Sequence, residues 1–307
     1  MDIKRDINLA KYTTFGVGGP ADYFLIAKSS SDLENGIYWA KEKNIPFFIL
    51  GTGANILVGD RGFRGLVIKN ESKKIINVTS DPILLTAESG ITIKELIDFS
   101  LEKGLSGLEH FAGIPSSLGG ALWQNLHFLN PDRTQTVYIG DLVKSAEILQ
   151  ITSDENTKLI KRISKNTVNN SYFNFDYDFS ILHKTHDVLL QVTLELKKED
   201  PKVIKETINK NLQWRSEKHP FEAWKNSAGS IFKKIDGYGA GRLIEQVGLK
   251  GYRIGGAKIS EKHSNFIVNT NNATAKDIKD LIELVQEKVK KELGLTMETE
   301  ISFVGQF

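Results

Sequence analysis

His110-Phe111-Ala112-Gly113-Ile114-Pro115-Ser116-Ser117-Leu118-Gly119-Gly120-Ala121-Leu122-Trp123-Gln124-Asn125 is the stretch around which the chain is organised. Pro115 stiffens a bend at 113–117, the pair Gly119-Gly120 follows, and the apolar run after it suits a short helix. Glycines let backbone N–H groups approach an anion closely, and a helix N-terminus adds partial positive charge. The segment is therefore a candidate for holding a phosphate or pyrophosphate. The same punctuation also makes an ordinary turn, and this stretch by itself does not choose between the two.

A second glycine loop lies far upstream. Leu50-Gly51-Thr52-Gly53-Ala54-Asn55-Ile56-Leu57 follows directly on the strand-like Pro46-Phe47-Phe48-Ile49-Leu50. Two small-residue loops, each entered from an apolar segment, suit one diphosphate gripped from two sides, and together they point to a cofactor.

The chain has 307 residues, enough for a full core and for two or more domains. Its apolar fraction of 40% and charged fraction of 25% are those of an ordinary globular protein. A net charge of +2, with lysines spread along the chain and balanced by acids, gives no reason to expect nucleic acid. The absence of cysteine excludes disulfides, thiolate metal sites and cysteine nucleophiles. Met1-Asp2-Ile3-Lys4-Arg5-Asp6 lacks a signal-peptide core, and no apolar run approaches the roughly 20 residues of a membrane helix. A cytoplasmic protein with no membrane partner is the expectation.

Tyr12-Thr13-Thr14-Phe15-Gly16-Val17-Gly18-Gly19-Pro20-Ala21 superficially resembles a dinucleotide fingerprint, but Ala21 and the intruding Pro20 break the required spacing. Ser31-Asp32-Leu33-Glu34 has capping-box spacing before a helix with Leu33, Ile37 and Ala40 on one face. Thr92-Ile93-Lys94-Glu95 heads a second helix, which Gly104 stops. Strand-like runs occupy 66–69, 83–87, 146–151 and 188–196. The polar Lys197-Lys198-Glu199-Asp200-Pro201 is the expected boundary, after which comes a helix bearing Ile204, Ile208 and Leu212. Thr274-Ala275-Lys276-Asp277 caps a last helix whose Ile278, Leu281, Ile282, Val285 and Val289 form a core stripe.

Between those helices, Asn226-Ser227-Ala228-Gly229-Ser230-Ile231-Phe232-Lys233 sets a serine in a small-residue bend. Its hydroxyl is a candidate proton donor, nucleophile or turn cap. The G-x-S-x-G pattern is missing, which argues against a serine hydrolase. His263 has no well-spaced second ligand, so a structural hydrogen bond is the favoured role. His183 and His186 are three apart beside an expected strand, where they would face opposite ways, and no metal site is expected.

Over nearly its whole length the chain resembles the UDP-N-acetylenolpyruvoylglucosamine reductases, also called UDP-N-acetylmuramate dehydrogenases. The resemblance lies in Tyr12 to Ala21, Gly51 to Val58, Ala112 to Asn125, Tyr177 to Ser180, Lys218 to Pro220, Ala228 to Lys233, Leu243 to Asn269, and Glu298-Thr299-Glu300-Ile301. It implies an α+β architecture: an FAD-binding fold of the vanillyl-alcohol oxidase type in two subdomains, plus a C-terminal α+β substrate domain. The expected division is 1–198 for FAD (subdomains about 1–70 and 71–198) and 199–307 for substrate, in the shorter form of the family without an insertion in the substrate domain.

By that resemblance FAD is held by Gly51, Thr52, Gly53, Ala54, Asn55 and Ile56, and by Gly113, Ile114, Pro115, Ser116, Ser117, Gly119, Gly120 and Ala121. NADPH is the co-substrate, and the enolpyruvyl group of a UDP-sugar is reduced. The resemblance makes Ser230 the proton donor, Glu300 the carboxyl group assisting the developing enolate, and Lys218, Lys234 and Tyr177 substrate contacts.

One departure stands out. The family carries an arginine in Tyr-Arg-x-Ser where this chain has Tyr177-Asp178-Phe179-Ser180, and an acid cannot replace a cation that stabilises negative charge. Either another cation such as Arg215 or Lys234 serves, or catalysis is impaired. Lesser departures are Ala54 for serine, Ser116 for glycine, Lys234 for asparagine and Ser302 for arginine. An active reductase is the leading expectation; the alternatives are a flavin and UDP-sugar binding protein without turnover, or another flavin oxidoreductase of the same fold.

Overall fold

The computed structural model describes residues 1–132, 134–154, 157, 159–220, 226–235 and 237–307. Helices begin and end where side chains satisfy their orphan backbone groups. α1 (Ser30–Glu42) buries Leu33, Ile37 and Ala40 as expected, but its cap is Ser29, two residues before the expected Ser31. The Ser29 hydroxyl accepts the Asp32 N–H at 3.1 Å, and Glu88 accepts from both the N–H and the hydroxyl of Ser30, at 2.8 and 2.9 Å, which holds the first turn. α2 (Ile93–Lys103) carries the complete Thr92/Glu95 capping box and stops at left-handed Gly104. α3 (Leu118–Gln124) is the short helix read from the opening stretch, capped by Ser117 and closed by left-handed Asn125. α4 (Leu182–Thr185) is a single turn, and α5 (Pro201–Lys218), α6 (Ala240–Gln246) and α7 (Ala275–Leu293) complete the set among the described residues.

Cα packing divides the chain into two compact units built from interleaved segments: 1–4, 23–52 and 65–215 in the first, 5–22, 53–64 and 216–307 in the second. The first unit contains an antiparallel five-stranded sheet in the order Ile160–Asn169, Val143–Ser153, Val188–Glu195, Leu84–Glu88, Ile75–Val78. Both of its faces are covered. Ile148 joins the cluster beneath α2 and α3, while its neighbour Leu149 joins the cluster beneath α1, as strand alternation requires. In the same unit Phe47–Leu50 runs parallel to residues 66–69 and delivers the chain into the first glycine loop.

α5 lays Ile208, Leu212 and Trp214 on the first unit's core. The consecutive segments 1–198 and 199–307 are therefore a division by proposed ligand and not the division by packing.

The second unit packs the α7 stripe of Ile278, Leu281, Ile282, Val285 and Val289 against α6 and a small antiparallel sheet of Arg253–Ile254, Ala257–Ile259 and Ile267–Asn269. Ser302–Val304 pairs in parallel with Ile56–Val58, so the strand leaving the first glycine loop lies beside the C-terminal segment. Asp60 closes the N-terminus of α7: its carboxylate accepts from the Ala275 and Lys276 N–H groups at 2.8 and 2.9 Å, beside the Thr274/Asp277 capping box.

Candidate active site

The first unit joins the two glycine loops. The Thr52 hydroxyl donates to the Pro115 carbonyl at 2.9 Å, and the Lys69 ammonium donates to the Gly51 carbonyl at 2.6 Å. Burial lowers the Lys69 pKa, with Glu71 opposing and Lys73 adding to the shift. The 113–117 bend is made by the Ile114 N–H on Phe111 O and the Ser116 N–H on Ile114 O. The N–H groups of Leu118, Gly119 and Gly120 already have acceptors in Ile91 O, Ser89 O and the Ser117 hydroxyl. A Cβ at Gly119 would lie 3.2 Å from Ser89 O, so the glycine there lets α3 pack closely on that segment.

Arg215 adds what the loops lack. A Cβ at Gly113 (φ +81°) would sit 3.2 Å from Arg215 Nε, and that Nε is enclosed with no hydrogen-bond partner among the described residues. Burial pushes the guanidinium down to about 10, which still leaves it charged near neutral pH. An enclosed cation beside a tight glycine bend is the donor set a diphosphate requires, so these residues fit the pyrophosphate of FAD. The sequence named Arg215 only as a stand-in for the missing arginine. Its place beside Gly113 depends on how α5 packs, and no local spacing signals it.

Tyr177 and Asp178 are the central residues of a turn closed by reciprocal backbone bonds between Asp176 and Phe179. Asp178 takes φ +51°, a left-handed conformation that Asp tolerates better than most residues. Two side chains pin this turn to the end of α3: Asn125 Nδ2 donates to Asp176 O at 3.0 Å, and the Ser180 hydroxyl to Trp123 O at 2.8 Å. His183 and His186 do not flank a strand on opposite faces. They lie on α4 and its C-cap, where a three-residue spacing puts both rings on Trp123, with centroids at 4.8 and 6.1 Å.

The second unit assembles the catalytic candidates. Residues 230–233 run between two antiparallel partners. On one side Ser230 bridges Phe266, and the Ile231 N–H donates to Asn265 O; on the other Phe232 bridges Thr299, and the Glu300 N–H donates to Ile231 O at 2.8 Å. Ser230 and Glu300 are thereby held on neighbouring segments. The first glycine loop joins them through Asn55, whose Nδ2 donates to Glu300 O at 3.2 Å and whose carbonyl accepts from the Ser302 N–H at 3.0 Å. Gly53 adopts φ +70°, and a Cβ there would lie 2.1 Å from the Tyr12 carbonyl oxygen, so no other residue fits. Lys218 and Lys234 are exposed. His263 Nδ1 accepts from the Asn265 N–H at 3.2 Å, the structural role expected of it.

A family model described as the C-terminal domain of UDP-N-acetylenolpyruvoylglucosamine reductase matches residues 219–304, and one described as an FAD binding domain matches residues 21–152. The UDP-N-acetylenolpyruvoylglucosamine reductase of Clostridium novyi is 40% identical over 305 residues, which is 99% of this chain and 93% of that protein. The reductase of that name from Caldanaerobacter subterraneus subsp. tengcongensis is 38% identical over 298 residues, 97% of this chain and 92% of the relative. Among solved structures, the UDP-N-acetylenolpyruvylglucosamine reductase of Thermus caldophilus matches with a TM-score of 0.78 at 29% identity, covering 99% of each chain. The α+β fold with an FAD-binding domain and a distinct C-terminal domain is as expected.

Proposed function

The chain belongs to the UDP-N-acetylenolpyruvoylglucosamine reductase family, and we infer that it reduces UDP-N-acetylglucosamine enolpyruvate to UDP-N-acetylmuramate with NADPH, for peptidoglycan precursor synthesis. FAD, when bound, carries hydride from NADPH to the enolpyruvyl double bond. The observation that supports this best is the second unit's arrangement, in which Glu300, the segment of Ser230 and Asn55 of a cofactor loop are tied by successive hydrogen bonds.

Gly51 to Ile56 and Gly113 to Ala121 hold FAD in this reading, with Arg215 facing its pyrophosphate. Residues 1–198 thus serve the cofactor and 199–307 the UDP-sugar. Hydride addition at the vinyl carbon leaves negative charge that spreads into the substrate carboxylate, and the adjacent carbon then needs a proton. Ser230 supplies that proton. The Glu300 carboxyl group on the neighbouring segment assists the developing enolate. Lys218, Lys234 and Tyr177 contact the UDP-sugar. Among the described residues no helix is long and apolar enough to cross a membrane. A cytoplasmic protein acting on small molecules, without a nucleic-acid partner, completes the proposal, in keeping with the balanced charge.

The test is an anaerobic absorbance trace of the FAD-loaded protein. NADPH bleaches the flavin band, and UDP-N-acetylglucosamine enolpyruvate restores it. Bleaching without recovery would mean a different acceptor, and failure to take up FAD would undo the reading of both glycine loops.

A further inference from the structure

The side chain of Asp178 is only 1% exposed, and neither carboxylate oxygen has a hydrogen-bond partner among the described residues. The turn that carries it is pinned by Asn125 and Ser180, so the carboxylate is held inward. A carboxylate buried in this way requires a positive partner. His127 is positioned to be one: its Nδ1 lies 3.5 Å from Asp178 Oδ1, and its side chain is 19% exposed.

Two rings flank the imidazole, Tyr177 at 4.8 Å and Tyr138 at 5.6 Å between centroids. Aromatic faces favour a cation. Among the described residues, the ionisable groups on the elements packed around His127 are Asp178 and Tyr177 on the turn, Tyr138 on the paired strand, Glu109 and His110 on the turn against its strand, and the cations Lys210 and Arg215 of α5, which reaches the strand through Trp214 on Phe128. Glu109 is already occupied by the Ser106 hydroxyl and the Gly107 N–H. Tyr138 and Tyr177, the two rings beside His127, also line a cleft with Asp141 and Asp176.

We propose that His127, kept protonated by Asp178, is the cation that binds the carboxylate of the enolpyruvyl substrate and takes up its developing negative charge. This rests on the function proposed above. The aspartate found in place of an arginine is then a positioning residue: it holds Nδ1 of a new cation, and Nε2–H is the group assigned to the substrate carboxylate. His127 packs its ring against Tyr177, itself a proposed substrate contact.

The experiment titrates the FAD-loaded full-length protein with UDP-N-acetylglucosamine enolpyruvate, and separately with UDP-N-acetylglucosamine, which has no carboxylate. His127→Gln should weaken the first by about tenfold to a hundredfold, the value of a charged hydrogen bond, and leave the second within about twofold. The rate of flavin recovery in the native protein should fall as pH rises through the loss of the His127 proton. Asp178→Asn should move that fall to lower pH, and His127→Lys should remove it while keeping carboxylate affinity. If His127→Gln binds both sugars as the native protein does, with an unchanged pH profile, the proposal is overturned. A native protein that never restores its flavin band overturns the proposed function instead, and the two-sugar titration still judges His127. Should Asp178→Asn not fold, the two His127 variants decide the matter.

Discussion

Asn265 holds Phe232 by both of its backbone groups: its Oδ1 accepts the Phe232 N–H at 3.0 Å, and its Nδ2 donates to the Phe232 carbonyl at 2.8 Å. With its own carbonyl it also accepts from the Ile231 N–H. One buried side chain therefore closes an edge that regular strand pairing leaves open, two residues from Ser230. Asn265→Ala strands a buried donor and a buried acceptor, and should cost roughly 2–4 kcal/mol of stability. Denaturant unfolding measures it; a loss below about 0.5 kcal/mol would mean that water replaces the amide without penalty.

What the sequence made legible rests on local spacing. The Thr92/Glu95 and Thr274/Asp277 capping boxes, the α7 stripe and both glycine loops are patterns of a few residues, and the structure keeps them. Contacts across the chain were not legible. Asn265 reaches 33 residues back to Phe232, Asp60 closes a helix 215 residues away, and Glu88 holds the first residue of α1 from 58 residues away. His127 beside Asp178 and Arg215 beside Gly113 are of the same kind, because each depends on which loops packing brings together.

Gly53 has left-handed backbone, and its missing side chain makes room for the Tyr12 carbonyl oxygen. Gly53→Ala meets both penalties, and backbone cannot yield as a flexible side chain does. A stability loss of at least about 2 kcal/mol is expected, together with loss of FAD on purification. FAD stoichiometry by absorbance, read beside an unfolding curve, checks both; an alanine variant that keeps its flavin would remove Gly53 from the cofactor loop.

Arg215 gives a prediction of two opposite signs. Its Nε is buried with no hydrogen-bond partner among the described residues, a cost in the protein without FAD, so Arg215→Met should leave the apoprotein as stable as before, or more so by about 1 kcal/mol. FAD binding should weaken by about tenfold or more, because the variant removes a charged donor. Thermal melting of apoprotein and a flavin fluorescence titration separate the two effects. Unchanged FAD affinity would detach Arg215 from the pyrophosphate.

His263 carries a pH signature. Burial lowers its pKa below the ordinary 6.5 against a backbone hydrogen bond and Glu245, which raise it, and with Lys250, which lowers it further. The unfolded chain therefore binds the proton more readily than the folded one. The stability that neutral His263 contributes is complete above pH 6.5 and is lost as the pH falls through the lower folded value. Melting curves between pH 8 and 5 should fall more steeply for the native protein than for His263→Gln; parallel curves would show that the imidazole is not shielded.

Ser230→Ala isolates the proton. The serine bridges Phe266 through backbone, and Ile231 and Phe232 are anchored by Asn265, so removing the hydroxyl leaves the segment in place. Bleaching by NADPH does not call on a proton for the substrate carbon and should proceed at the native rate. Recovery with UDP-N-acetylglucosamine enolpyruvate does call on it, and should slow by about 10²- to 10⁴-fold, the usual worth of a positioned acid. Stopped-flow absorbance resolves the two phases in one sample. Equal slowing of both would assign Ser230 to holding the cofactor, and no slowing of either would transfer the proton to Glu300 or to water.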